Sequence, residues 1–161
     1  MAAEKTEDKN PEILIKELAK KLLLLMGFKK TEIKIFPEEG ERLRLEIDLP
    51  QPGILIGNRG ETLASLQLLL SIMTYKKLGR WQGLTVDAAG YLEKRKEELK
   101  ELAFNAAQKV KFSGQEAVLP ALNSAERRVV HLALADDPEV KTESETRDRE
   151  RRLVIKPRVK K

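Results

Sequence analysis

A seven-residue run, Ile54-Leu-Ile-Gly57-Asn58-Arg59-Gly60, constrains the fold of this chain more than any other segment. Its two glycines flank a polar pair, and a helix-forming stretch follows at once. Glycine lets the backbone turn sharply and approach a ligand without a Cβ in the way, and a helix N-terminus exposes unpaired N–H donors. The pattern predicts a phosphate-holding loop with Arg59 at its tip, although a plain surface turn before a helix needs no more than this.

Composition limits the classes of protein that the chain can be. Its 161 residues suffice for one ordinary domain or two small ones, and 41% hydrophobic with 35% charged residues is a globular balance. The net charge of +5 suits an anionic partner such as nucleic acid but does not require one. Without cysteine and with one histidine, disulfides and the common zinc sites are excluded, and we expect no cofactor. The longest apolar run, residues 22–26, is too short to span a bilayer, so we expect a soluble, cytoplasmic protein.

Hydrophobic periodicity predicts the order α-β-β-α-α-β over residues 11–88. Residues 1–10 carry no apolar period and are expected to be a disordered tail. The predicted elements are a helix from Pro11 to Gly27 capped by Asn10, an antiparallel hairpin of strands at 33–35 and 43–49, a short apolar turn to Gly57, a helix with a stripe of Leu63, Leu66, Leu69, Leu70 and Met73, and a strand at 84–87.

This order, with Gly57-Asn58-Arg59-Gly60 joining the middle helices, resembles the bacterial-type (type II) KH domain, whose signature is an apolar residue followed by Gly-x-x-Gly. The resemblance implies that about four nucleotides of single-stranded RNA or DNA lie in a groove, with their backbone held by the loop. Asn58 and Arg59 would face the phosphates. The apolar residues 55–56 either floor this groove or pack in the core.

The second half of the chain predicts another unit of helices and strands. A long amphipathic helix runs from Tyr91 to Ser113, and its alternating charges indicate a solvated face. Asn123 and Glu126 form a capping-box pattern that opens a helix ending at Ala135. A short strand is predicted at 117–119.

Arg127 and His131 lie four residues apart on this last helix. The spacing places both on one outward face, with Val130 and Leu134 towards the core. Arginine can bind phosphate bidentately, and histidine can donate to phosphate or stack on a base. By spacing alone, an ordinary surface histidine is the simpler interpretation.

The sequence around this pair, residues 89–156, resembles the R-3-H domain, which is named for its Arg-x-x-x-His signature. The resemblance implies a small α/β fold with a three-stranded sheet that binds single-stranded nucleic acid, and the last strands of this sheet would be 140–146 and 151–156. It maps the signature pair to Arg127 and His131. A KH domain followed directly by an R-3-H domain resembles the bacterial Jag family, also called SpoIIIJ-associated or KhpB proteins.

The chain departs from that family in two places. We expect it to lack the extra N-terminal domain that many members carry, which would put a membrane-linked role in doubt, and Asn58 stands where lysine or arginine is common. The second change removes one cation from the clamp and weakens phosphate attraction modestly. The predicted organisation is an α+β chain with a tail at 1–10, a KH domain at 11–88, an R-3-H domain at 89–156 and a basic tail at 157–161.

Further contact candidates come from charge and aromatic content. From Arg147 to Lys161 there are eight Lys or Arg against two acidic residues, a local charge of +6, which either adds phosphate contacts or keeps the protein in solution. Arg151 and Arg152 are the candidates from this segment. Trp81 and Tyr91 are candidate base-stacking rings, although Trp81 lies in a turn and can equally cap the core.

The sequence therefore predicts a non-catalytic protein that binds single-stranded RNA, or single-stranded DNA, through two modules. The alternative is a scaffold that dimerises through the KH helices, with nucleic acid secondary. By resemblance, such proteins are post-transcriptional regulators that influence cell division, envelope growth and cell shape, and their partners are a smaller KH-only protein or a second copy. The predicted contact residues are Gly57, Asn58, Arg59, Gly60, Arg127, His131, Arg151 and Arg152.

Overall fold

The computed structural model describes residues 10–147 and 150–158, and the chain divides into two compact units after Leu92. The tail predicted at 1–10 thus lies outside the described residues except for Asn10. The basic tail predicted at 157–161 is described only as far as Arg158.

The first unit has the order α-β-β-α-α-β that the periodicity predicts. Asn10 caps the first helix, because its side chain accepts from the amide of Glu12 at 2.9 Å. The segment before Gly57, predicted as a turn, is a five-residue helix. The elements are α1 (Pro11–Leu25), β1 (Glu32–Glu38), β2 (Arg42–Asp48), α2 (Pro52–Ile56), α3 (Glu61–Leu78) and β3 (Leu84–Ala88).

The strands of this unit form one sheet in the order β1-β2-β3. β1 and β2 pair antiparallel as the predicted hairpin, whereas β2 and β3 pair parallel, because α2 and α3 form the crossover between them. Alternate residues of each strand point to the helices and build an aliphatic core. In α3, Leu63, Leu66 and Leu70 are buried as predicted, but Leu69 is 49% exposed because it lies on another face of the helix.

Asp87 of β3 connects the sheet to the chain that follows it. Its side chain is 1% exposed and accepts from Arg44 Nη2 at 2.8 Å. Its second oxygen, Oδ1, accepts from the amides of Ala88 and Leu92 at 2.8 and 3.1 Å. These three donors offset the cost of burying a carboxylate.

The second unit contains the rest of a long helix and a second three-stranded sheet, in the order β4-β6-β5, with antiparallel pairing throughout. The helix predicted to end at Ala135 ends two residues earlier, because Leu134 leaves helical geometry with φ −112°. The elements are α4 (Tyr91–Ser113), β4 (Ala117–Val118), α5 (Ser124–Ala133), β5 (Val140–Arg147) and β6 (Glu150–Pro157).

The core of the second unit lies between its helices and one face of this sheet. Val130 and Leu134 are buried as predicted, and they belong to one cluster with Leu153 and Ile155 of β6. Across residues 10–147 and 150–158, no helix combines the length with the apolar composition that crossing a membrane requires.

Candidate nucleic-acid interface

The glycine loop, residues 57–60, joins α2 to α3 through one tight turn (Asn58–Gly60) in which Arg59 has left-handed backbone geometry, with φ 50° and ψ 32°. Gly57 has φ 73° and ψ −169°, and Gly60 has φ 82°, so both need glycine's conformational freedom. A Cβ on Gly57 would lie 2.1 Å from Thr62 Oγ1, and one on Gly60 would lie 2.8 Å from the Tyr91 ring. The protein's own packing therefore requires both glycines, whether or not a ligand approaches them.

The outer side of this loop is open. Asn58 and Arg59 are exposed, while the two glycines are half-buried. The amide of Gly57 donates to the carbonyl of Gly53 at 2.9 Å, so this amide serves α2 and is not offered to a ligand. Gly60, the N-cap of α3, has no side chain that could cap the helix, and the amide of Glu61 donates to the carbonyl of Asn58. The positive end of the helix faces the loop.

The loop has little net charge of its own. Arg59 at the tip is followed by Glu61, an exposed acid in the first turn of α3, so their formal charges cancel. Attraction of phosphate to this loop therefore depends on the helix end and on cations elsewhere. Of the apolar residues before Gly57, Leu55 is fully buried in the core and Ile56 is half-buried against it.

In the second unit, a predicted capping box opens α5. The Asn123 side chain accepts from the Glu126 amide at 2.9 Å, and Glu126 Oε2 accepts from the Asn123 amide at 3.0 Å. The other oxygen of Glu126 accepts from Arg95 Nε of α4 at 2.9 Å. One carboxylate thus fixes both the start of α5 and its attachment to α4, and it holds Arg127 in the first turn.

Arg127 and His131 lie on one face of α5, but both are half-buried rather than fully outward as the spacing predicts. Arg127 Nη1 donates to the carbonyl of Leu122 at 2.7 Å, which folds the guanidinium back along the helix start. His131 Nδ1 contacts Thr142 Oγ1 on β5. When this hydroxyl donates to Nδ1, the ring proton lies on Nε2, which can then donate to a phosphate.

The two arginine candidates on β6 point to opposite faces of the sheet, because successive side chains on a strand alternate. Arg151 pairs in register with Thr146, and Ile155, on the same face, pairs with Thr142. Arg151 therefore lies on the sheet face that α5 and His131 cover. Arg152 lies on the other face.

That other face carries a network of ion pairs. Glu143 accepts from Lys141 at 2.7 Å and from Lys156 at 2.8 Å, and Lys156 also contacts Glu145. The two ammonium groups lower the pKa of Glu143 from 4.5 to about 2. The hydrogen bonds to Glu143 and then Glu145 raise the pKa of Lys156 above its usual 10.5. The charges of these four side chains balance one another, and Arg152 stays a predicted contact.

Sequence reasoning missed Thr142 as a partner of His131. The signal present in the sequence is the run of hydroxyl side chains at every second position of β5, namely Thr142, Ser144 and Thr146. Alternation places all three on one face.

The two candidate stacking rings lie in different environments. Trp81 is 63% exposed and so does not cap the core, while Tyr91 is half-buried against Gly60.

Among residues 10–147 and 150–158, His, Asp and Glu side chains nowhere gather in a group of three that could hold a metal ion.

Comparison with known families matches both units. A model described as "KhpA/KhpB, KH domain" matches residues 12–82, and the R-3-H domain model matches residues 97–157. The fold and these matches define a protein with a KH domain followed by an R-3-H domain. Three similar proteins, each named RNA-binding protein KhpB, come from Clostridium symbiosum, Bacillus subtilis (strain 168) and Lactiplantibacillus plantarum.

The first of these is 37% identical over 120 residues, which are 74% of this chain and 54% of that protein. The second is 33% identical over 120 residues, 73% of this chain and 58% of that protein. The third is 33% identical over 111 residues, 69% of this chain and 34% of that protein. The chain belongs to the KhpB (Jag) family, and it spans from a third to somewhat over half of the length of these relatives.

Proposed function

We propose that the protein binds single-stranded RNA without catalysis. The glycine loop grips one stretch of backbone, and the Arg127 and His131 face of α5 grips another. The observation that carries this proposal is the exposed tip of Asn58 and Arg59 in front of the N-terminus of α3, where the cap residue Gly60 has no side chain. The names of the relatives favour RNA over DNA as the polymer.

The chemistry of this grip is electrostatic and contacts the backbone rather than base edges. Backbone amides and the positive end of α3 stabilise a phosphate, and the Arg59 guanidinium adds charge-assisted hydrogen bonds. Because such contacts do not read bases, sequence preference is loose and affinity falls as salt rises.

The biological role that we propose is post-transcriptional regulation in the cytoplasm, and its link to cell division and envelope growth rests on family resemblance alone. A chain without cysteine suits a reducing compartment. A smaller KH-only protein or a second copy is the partner that the family implies, and crosslinking with sequencing of bound RNA from cells would identify the targets.

A second candidate function is a scaffold that dimerises through the KH unit. Its support is an apolar face on α3, where Leu68, Ile72 and Tyr75 lie at helical spacing and are all exposed. Exposed apolar faces of this kind often mark protein contacts. RNA binding would then be secondary.

The test replaces Asn58→Asp and Arg59→Asp together. Carboxylates at the tip repel phosphate, so binding to an unstructured RNA should weaken roughly tenfold or more, with an unchanged circular dichroism spectrum. Asn105→Asp with Lys109→Asp, on an exposed face of α4, makes the same change in net charge and should have a much smaller effect.

Fluorescence anisotropy with labelled RNA measures the affinity. Equal affinities of the loop variant and the wild type would defeat the loop as a phosphate clamp. Sedimentation velocity on the same samples separates the two candidates, since a dimer that forms without RNA and survives the loop substitutions favours the scaffold.

A further inference from the structure

The aromatic side chains of this protein lie largely outside its core. The chain has seven aromatic residues, and both cores are built from aliphatic side chains with little aromatic contribution. Trp81 is 63% exposed and Tyr75 is 49% exposed, and their ring centroids are 6.3 Å apart at an angle of 49°. Two neighbouring rings exposed to water form an apolar surface with flat faces, and surfaces of this kind often mark a binding site.

The turn after α3 holds this ring pair in place. Gly79 ends the helix at φ 71°, and its amide donates to the carbonyl of Tyr75 at 2.8 Å, so the chain folds back towards Tyr75. Gln82 is buried, and its side chain donates to the carbonyl of Glu41 at 2.7 Å. Because Gln82 is anchored inwards, the preceding Trp81 is held outwards before any ligand arrives.

The surroundings of the rings are basic. Lys76, Lys77 and Arg80 are all exposed, and no acidic residue occurs between Glu61 and Asp87. The hairpin turn that receives Gln82 carries two exposed acids at 39 and 41, so the cations remain in excess. The dipole of α3 accounts for lysines in its last turn, but it does not account for the two rings beside them.

We propose that Tyr75 and Trp81, with Lys76, Lys77 and Arg80, form a second contact for single-stranded RNA on the KH unit. Unpaired bases stack on the rings, and the cations bind the flanking phosphates. This inference rests on the proposed function. The three basic side chains supply positive charge that the glycine loop lacks.

The ring patch, which consists of Tyr75 and Trp81, and the glycine loop lie at opposite ends of α3. The helix has 18 residues, so at about 1.5 Å per residue the two contacts are roughly 27 Å apart. A strand of about four nucleotides, the length that a KH loop clamps, does not reach both. Only a longer strand engages the loop and the rings together.

The test uses the single tryptophan of the chain as its own reporter. An unstructured RNA of about twelve nucleotides should quench and shift the emission of Trp81, because a stacked base contacts the indole directly. By anisotropy, Trp81→Ala should weaken binding of this RNA about tenfold, and Trp81→Phe, which keeps a ring, should retain most of the affinity.

Matched variants separate stacking from charge and from a general apolar effect. Leu68→Ala removes another exposed apolar side chain, 59% exposed, from the same helix and should leave RNA affinity unchanged. Replacing Lys76, Lys77 and Arg80 with Gln should reduce the slope of log affinity against log salt by roughly 2, at about 0.7 per phosphate contact. Thermal unfolding confirms that each variant is folded.

The outcomes distinguish this inference from the proposed function. If Trp81 emission does not change at saturating RNA and Trp81→Ala binds as the wild type does, the ring contact is overturned, whereas the loop contact stands or falls with the Asn58→Asp, Arg59→Asp variant. If the emission changes with protein concentration in the absence of RNA, and sedimentation shows a dimer, the rings contact a second copy and the proposal is overturned.

Discussion

At the scale of single residues, the partner of each candidate side chain limits what it can contact. The His131 ring is held by Thr142 through Nδ1, so Nε2 is the nitrogen left for a ligand. Arg127 donates one N–H to the carbonyl of Leu122, and its guanidinium has further N–H donors. These restraints would lower the entropy lost in the phosphate contact that we propose for the two side chains.

Thr142→Val should release the His131 ring while preserving side-chain shape. RNA affinity should fall roughly fivefold, as expected for the loss of a hydrogen bond worth about 1 kcal/mol. The chain has one histidine, so the nitrogen chemical shifts of a single imidazole report the tautomer directly. We expect a shift from one dominant tautomer to a mixture.

The matched control is Thr146→Val, which removes an exposed hydroxyl from the same strand and face. It should leave the imidazole signals unchanged. Identical histidine spectra for Thr142→Val and the wild type would show that the hydroxyl does not position the ring.

At the scale of elements, caps and periodicity predicted most of the fold. The Asn10 cap, the hairpin and the Asn123 capping box follow from local sequence, and the structure confirms all three. Long-range partners could not be predicted in this way, because the contact of His131 with Thr142 depends on where β5 packs against α5. The opposite faces of Arg151 and Arg152 were accessible from strand alternation alone.

The ion pairs on β5 and β6 predict a pH-dependent stability. Lys141 and Lys156 depress the pKa of Glu143 from 4.5 to about 2, so its stabilising effect is present above pH 4.5 and is lost as the pH falls towards 2. The melting temperature of the wild type should exceed that of Glu143→Gln at pH 7, and the difference should be lost as the pH falls through about 2. High salt should also shrink the difference at pH 7. A difference independent of pH would contradict this origin.

At the scale of the whole molecule, the two contacts that we propose would strengthen each other when both engage one strand. Once one unit holds a strand, the second binding event is intramolecular, and its effective concentration is set by the tether rather than by the solution. The net charge of +5 adds a general attraction for polyanions that salt screens.

Arg127→Ala with His131→Ala, added to the Asn58→Asp, Arg59→Asp variant, tests this cooperation. With a long RNA, each pair alone should weaken binding by one to two orders of magnitude, and the combined variant should bind more weakly than either. With an RNA of about four nucleotides that fits only the loop, the α5 pair should have little effect. Circular dichroism controls for folding, and no further loss in the combined variant would make the α5 pair structural.

The buried carboxylate of Asp87 has a practical consequence for dissecting the two units. The carboxylate accepts a hydrogen bond from the amide of Leu92, so one of its donors lies in the opening turn of α4. A shortened protein that stops at the end of β3 would leave this carboxylate short of a donor, so a cut intended to isolate the first unit belongs beyond Leu92, inside the helix rather than in the loop before it.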